Sequence, residues 1–153
     1  MKILMVCLGN ICRSPIAQGI LESKIARLGL PWQVDSAGTS GWHDGEGPDL
    51  RAVELCKTRG LDISRQVSRK LTAKDLDHYD LILAMDSSNY QEITAICHTQ
   101  TQRNKVRLIL NYLYPHKNMA VPDPYYNGRF GEVYDLLDEA IDSLVDSLSA
   151  AKI

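Results

Sequence analysis

The chain has 153 residues, 44% apolar and 24% charged, enough for one domain over 1–153 that buries roughly 70% of its unfolded surface. Its net charge is −2, from 17 basic and 19 acidic residues; this excludes a broad basic face for nucleic acid, so any anion must be held locally. No apolar run approaches the ~18 residues of a membrane span, and the segment ahead of Cys7 is too short for a signal peptide, so no membrane partner is expected.

Ile3 to Val6 is a short, continuous apolar run that predicts a buried strand. From Pro15 to about Leu28, residues Ile16, Ala17, Ile20, Leu21, Ile25 and Leu28 fall on one helical face, with Gly29 as the stop. Trp32 to Asp35 reads as a second strand that ends in Ser36-Ala37-Gly38. The stretch from Gly38 to Gly47 has no periodicity and reads as a loop. Pro48 to about Arg59 is helical, stopped by Gly60. Thr72 and Asp75 resemble a capping box before a short helix. Leu81 to Met85 predicts a third strand, with Asp86 or Ser87 capping the next helix, and Val106 to Leu110 a fourth. The last helix starts near Gly131 and carries Val133, Leu137, Ile141, Leu144 and Leu148 on one face.

Apolar strands alternating with helices imply an α/β sandwich of three layers, a four-stranded parallel sheet with helices on both faces. Ligands in such sheets sit beyond the carboxyl ends of the strands, which directs attention to the loops after Val6, Asp35 and Leu110. The first of these is Cys7-Leu8-Gly9-Asn10-Ile11-Cys12-Arg13-Ser14-Pro15. Five residues between a cysteine and an arginine let the backbone curl around an oxyanion with its N–H groups inward, and a helix N-terminus adds donors and positive potential. Gly9 and Asn10 both tolerate φ > 0. Arg13 offers a planar fork for two phosphate oxygens. Ser14-Pro15 predicts a cap and first turn, with a hydroxyl able to face the sulfur. Such a cradle is expected to favour the thiolate of Cys7. Fixed donors on the equatorial oxygens of a transferring phosphoryl group should matter more than thiolate fraction alone.

A departing phenolate needs a proton, and Asp123 in Val121-Pro122-Asp123-Pro124-Tyr125-Tyr126 is the best-placed candidate acid. The two prolines are expected to hold that segment extended and to leave the carboxylate untied. Trp42, Tyr125 and Tyr126 could wall a pocket for a flat substrate. The histidines read as solvated surface, with His43 able to reach the pocket rim. Four cysteines are too few for a disulfide framework, so a reducing cytoplasm is expected.

With these pieces together, the sequence resembles the low-molecular-weight protein-tyrosine phosphatases. The likeness runs through Val6 to Pro15, Asp35-Ser36-Ala37-Gly38-Thr39 with Trp42, Asp80 to Asp86, and Asp123-Pro124-Tyr125-Tyr126. It implies nucleophile Cys7, phosphate ligand Arg13, general acid Asp123, and a hydrogen-bond network of Asn10, Ser14 and Ser36. It implies no metal or cofactor. The expected substrates are tyrosine-phosphorylated proteins or small aryl phosphates, inorganic phosphate is the product, and a monomer is expected. Cys12 is similar to the family's second loop cysteine, which can pair with Cys7 on oxidation. One departure stands out: Ser68-Arg69-Lys70 where the family often reads Ala-Arg-Gln, with Gln66 near the place of a common His.

Three rivals share some of these features. A thiol-dependent arsenate reductase of the same fold would need two further relay cysteines, and only Cys97 stands in the relevant stretch. A protein-arginine phosphatase is expected to carry Thr where this chain has the apolar Ile11. A non-catalytic phosphate-binding module would need neither the thiol nor the acid. Zinc is disfavoured because Cys56 and Cys97-His98 form no second ligand pair and a cation would repel Arg13. No nucleotide-binding glycine motif is present.

Overall fold

The apolar run after Met1 becomes β1 (Lys2–Cys7), the strand around which the sheet is built. A computed structural model describes residues 1–150 of the chain. β2 (Gln33–Gly38), β3 (Leu81–Ala84) and β4 (Val106–Leu108) complete a parallel sheet of order β2-β1-β3-β4. The crossovers carry α1 (Arg13–Leu28), then α2 (Leu50–Thr58) and α3 (Asp75–His78), then α4 (Ser87–Ala95) and α5 (Gln100–Asn104). After β4 come a 3₁₀ turn (Ile109–Tyr112), α6 (Pro124–Asn127) and α7 (Phe130–Ala150). The expected three-layer α/β architecture is what the chain adopts.

The strand period of two divides β1 between two cores. Ile3, Met5 and Cys7 face one, with Ile16 and Ile20 of α1 and Leu137 and Ile141 of α7. Leu4 and Val6 face the other, with Leu76, Tyr79 and Ile93. Fully buried aliphatic side chains of this kind contribute about 1.5–3 kcal/mol each, before the entropy of ordering them. The continuous apolar run of β1 is therefore a requirement of being covered on both sides.

Several elements differ from expectation, α1 among them, which starts at Arg13 and not at Pro15. The fourth strand ends at Leu108, and Ile109-Leu110 opens the 3₁₀ turn. Both of those residues pack into the same core as α7. A strand would send them to opposite faces. α5 was not expected, although Thr99 and Gln102 form its complete capping box. At the anticipated box, the Asp75 carboxylate accepts from the amide and hydroxyl of Thr72, and the hydroxyl caps no amide.

β1 lies between β2 and β3, so the chain winds away from it in both directions and the crevice falls at its carboxyl end. Cys7 is the last residue of that strand. Among the described residues, no helix is long and apolar enough to cross a membrane.

Candidate active site

The loop that follows Cys7 is held open by its own sequence. α1 begins at Arg13, with Cys12 at the N-cap and no side-chain cap bond. The expected cap at Ser14 is therefore corrected: Ser14 and Pro15 lie inside the first turn. Ser14 Oγ sits 3.0 Å from Cys7 Sγ and accepts from Asn10 Nδ2 at 2.8 Å. A hydroxyl that already accepts keeps its own proton to donate to the sulfur. Among the described residues, no acceptor takes the amides of Gly9, Asn10, Ile11, Cys12 or Arg13. A curl of unpaired N–H groups ending in an uncapped helix is an arrangement suited to an anion.

Asn10 carries the left-handed turn at φ 56°, and Gly9 does not. Gly9 is small for another reason: a Cβ there would stand 3.2 Å from His43 Cδ2. Gly38, at the end of β2, is tighter still, since its Cβ would lie 2.8 Å from the carbonyl oxygen of Leu8. The loop thus rests directly on the backbone of the neighbouring strand.

Asn10 is the hub beneath it. Its second amide hydrogen goes to Ser36 Oγ at 2.9 Å, and Ser36 donates to Gln18 Oε1 at 2.6 Å. Its side-chain oxygen accepts from the Arg69 amide at 3.0 Å, and its carbonyl accepts from the Ser68 hydroxyl. Gln66 donates to the carbonyl of Pro15. The departures at Gln66 and Ser68-Arg69-Lys70 therefore do not interrupt the support of the loop. Gln18, Ser68 and Arg69 were not identified from sequence as members of it.

Arg13 is 4% exposed. Its Nη1 donates to Asp86 Oδ2 at 2.7 Å and to the Val121 carbonyl at 3.1 Å, which leaves the Nε–Nη2 edge for a bidentate anion. Nη2 is 3.6 Å from Asp123 Oδ2. Burial pulls the guanidinium pKa down, but Cys7, the Asp86 hydrogen bond and Asp123 together raise it above its ordinary value. Asp86 was expected only as a candidate helix cap, and its hold on Arg13 was not identified from sequence. Its other oxygen caps α4 by accepting from the Asn89 amide. The available signal was its position just past the carboxyl end of β3, the strand beside β1.

Asp123 is extended as expected, at φ −86° and ψ 107°, but the segment turns helical at Pro124. Asp123 is the N-cap of α6 with Pro124 at its first position, and its Oδ1 accepts from the Tyr125 amide at 3.1 Å. The carboxylate is therefore tied by one oxygen, and the other faces Arg13. Cys7, Leu8, Gly9, Ile11, Cys12, Arg13, Asp123, Trp42, Tyr125, Tyr126 and His43 line one cleft of about 150 Å³. Tyr125 and Tyr126 meet edge to face at 5.2 Å, and His43 Nδ1 pairs with Glu46 at its rim. A larger cavity of about 700 Å³ lies along β4, lined by Arg107, Tyr112 and His116 among others, with none of the predicted site residues.

All four cysteines are buried free thiols. Burial, then Asp49 and Cys7, push the Cys12 thiol far above its usual range, so it stays protonated. Cys97 belongs to the opposite core from Cys7, Cys12 and Cys56.

The family model for low molecular weight phosphotyrosine protein phosphatases matches residues 2–152. A low molecular weight phosphotyrosine protein phosphatase of Schizosaccharomyces pombe is 38% identical over 153 residues, 97% of each chain. The crystal structure of a protein tyrosine phosphatase from Entamoeba histolytica superposes with a TM-score of 0.92 at 36% identity, covering 100% of this chain and 99% of that one. A Drosophila arginine phosphatase superposes with a TM-score of 0.89 at 32% identity, covering 97% and 98%.

Proposed function

The chain belongs to the low molecular weight phosphotyrosine protein phosphatase family, and we propose that it hydrolyses aryl phosphate monoesters, phosphotyrosine in proteins among them, through a phospho-Cys7 intermediate. One observation carries the proposal: Cys7, Arg13 and Asp123 line a single cleft with aromatic walls. Arg13 and the loop amides hold the three equatorial oxygens. The Cys7 sulfur attacks phosphorus in line as the P–O bond to the aryl group breaks, and Asp123 delivers its proton to the departing oxygen. Water then attacks phospho-Cys7, Asp123 takes the proton, and inorganic phosphate leaves. Ser14 Oγ, 3.0 Å from the sulfur, stabilises the thiolate released in this second step.

Leu8 and Ile11 give the cleft an apolar lining, and Trp42, Tyr125 and Tyr126 an aromatic one. That lining suits an aryl ring better than a guanidinium group, which supports tyrosine over arginine as the phosphorylated residue. Four free thiols favour a cytoplasmic setting. Cys12 is the proposed partner for a Cys7 oxidised by peroxide to the sulfenic acid, displacing water to form a disulfide.

The test is turnover of p-nitrophenyl phosphate without added metal, with phosphoarginine and arsenate reduction assayed alongside. Cys7→Ser should abolish hydrolysis, and Asp123→Ala should lower it by about 10²–10⁴-fold. Hydrolysis that survives Cys7→Ser would sink the mechanism. Preference for phosphoarginine, or thiol-dependent arsenate reduction alone, would reassign the substrate.

A further inference from the structure

We propose that Arg51, which belongs to neither the phosphate loop nor the acid segment, is a positioning residue that clamps Asp123 over the Cys7 loop; this rests on the phosphatase function proposed above. Arg51 stands in the first turn of α2, two residues after the N-cap Asp49. Asp49 grips one edge of its guanidinium, with Nε 3.1 Å from Oδ1 and Nη2 3.0 Å from Oδ2. The Asp49 amide in turn donates to the carbonyl of Ile11, in the phosphate loop, at 2.9 Å.

The guanidinium then faces two rings, 5.4 Å from the centroid of Tyr125 and 4.9 Å from that of Phe130. Its Nη2 also reaches the Tyr125 carbonyl at 3.4 Å. Tyr125 donates its amide to Asp123 Oδ1. A continuous path therefore runs from Ile11 through Asp49, Arg51 and Tyr125 to the carboxylate.

Val121 anchors the start of the acid segment, buried with its amide on the Met85 carbonyl and its own carbonyl on Arg13, but past Pro122 little else fixes it. α6 is four residues long, Pro124 is its one buried member, and Tyr125 and Tyr126 are 45% and 77% exposed. The direct approach of Asp123 to Arg13 is 3.6 Å, too long for a good hydrogen bond. A surface ion pair such as Asp49–Arg51 contributes little by itself. Its position matters because it joins two parts of the chain that must stand in register for proton transfer. A planar, forked cation is needed to be gripped on one edge and stacked on its face, which lysine cannot reproduce.

The experiment compares kcat/KM for phenyl phosphate, whose leaving group needs a proton, with that for 2,4-dinitrophenyl phosphate, whose leaving group does not. Arg51→Ala should slow the first by on the order of 10-fold, since displacing a catalytic group by 1 Å can cost up to ~10²-fold. The second should change less than about twofold, which also shows that the protein is folded. Arg51→Lys should give the same selective loss, and it carries the test if the alanine variant does not fold. Introduced into Asp123→Ala, Arg51→Ala should cost nothing further. Equal losses on both substrates, full rescue by lysine, or an additive loss in the Asp123→Ala background would overturn the proposal. Each of those outcomes leaves the Cys7→Ser result intact; turnover surviving Cys7→Ser would instead remove the function on which the clamp rests.

Discussion

Two proline-bearing pairs border the cleft, and they behave in opposite ways. Ser14-Pro15 has the composition of a helix cap, yet Ser14 lies inside α1 and turns its hydroxyl to Cys7. Asp123-Pro124 was expected to be extended with a free carboxylate; Asp123 is extended, yet it caps a helix, with its carboxylate on the Tyr125 amide and Pro124 in the first turn. The difference separates the two halves of the site. In the phosphate loop, leaving the helix start uncapped keeps its donors for an anion. In the acid segment, capping is what orients the carboxylate, since one oxygen held by Tyr125 leaves the other facing Arg13.

Burial follows the same division. Cys7, Asn10, Arg13 and Ser14 are each under 5% exposed, whereas Trp42 and Tyr126 stand above 70%. Changes beneath the loop should therefore damage fold and activity together, and changes on the walls should damage activity alone.

The strongest test of that contrast is Asp86→Ala. It strips the buried Arg13 of its closest carboxylate, leaving only the Val121 carbonyl on Nη1. Breaking a fully buried pair costs about 3–5 kcal/mol. Asp86 is 23% exposed, so water can replace part of it and the expected loss is about 2 kcal/mol. Activity should fall further, on the order of 10²-fold, because the arginine fork loses its aim. Kinetics on p-nitrophenyl phosphate and a urea unfolding curve measure the two together. An Asp86→Ala protein as stable and active as the wild type would show that the loop is not held from below.

Gly38→Ala comes next. The added Cβ would meet the Leu8 carbonyl at 2.8 Å, and backbone cannot swing aside as a flexible side chain can. Overpacking of this kind costs about 1–3 kcal/mol, so the urea midpoint should drop and turnover should fall with it. Lost stability with unchanged turnover would mean that the loop tolerates a shift of its floor.

These two positions also show what can be read from a sequence and what cannot. The Cys7 loop is legible because its chemistry is local: the proposed nucleophile, spacer and arginine fall within seven residues from a strand end to a helix start. Asp86 is not, because it meets Arg13 across 73 positions, and only the parallel pairing of β1 with β3 brings them together. Ser68 and Arg69 reach Asn10 in the same long-range way. The Ser14 cap signal was overridden by a tertiary demand, since a hydroxyl spent on its own helix could not serve Cys7. The fourth strand was misjudged because an apolar run does not reveal whether its side chains alternate between two cores or share one. The box at Thr99 and Gln102, by contrast, is local and carries its signal in the sequence, in a segment without apolar periodicity.

The smallest effect should come from the outermost wall. Trp42 is 74% exposed in a segment tied down by backbone bonds, Gly45 to Ser68 and Ser68 to Glu46, in which its side chain takes no part. Trp42→Ala should therefore shift stability by no more than about 0.5 kcal/mol, as is usual for surface positions. The ring's proposed contribution is to the substrate: stacking between aromatic groups is worth ~0.5–1.5 kcal/mol, a roughly 2- to 12-fold rise in KM when it is lost. An alkyl phosphate, with no ring to stack, should feel no such penalty, so the ratio of aryl to alkyl kcat/KM isolates the contribution of the wall. An unchanged ratio would remove Trp42 from the pocket, and a large fall in stability would break the division between a buried cradle that folds the site and an exposed rim that selects what enters it.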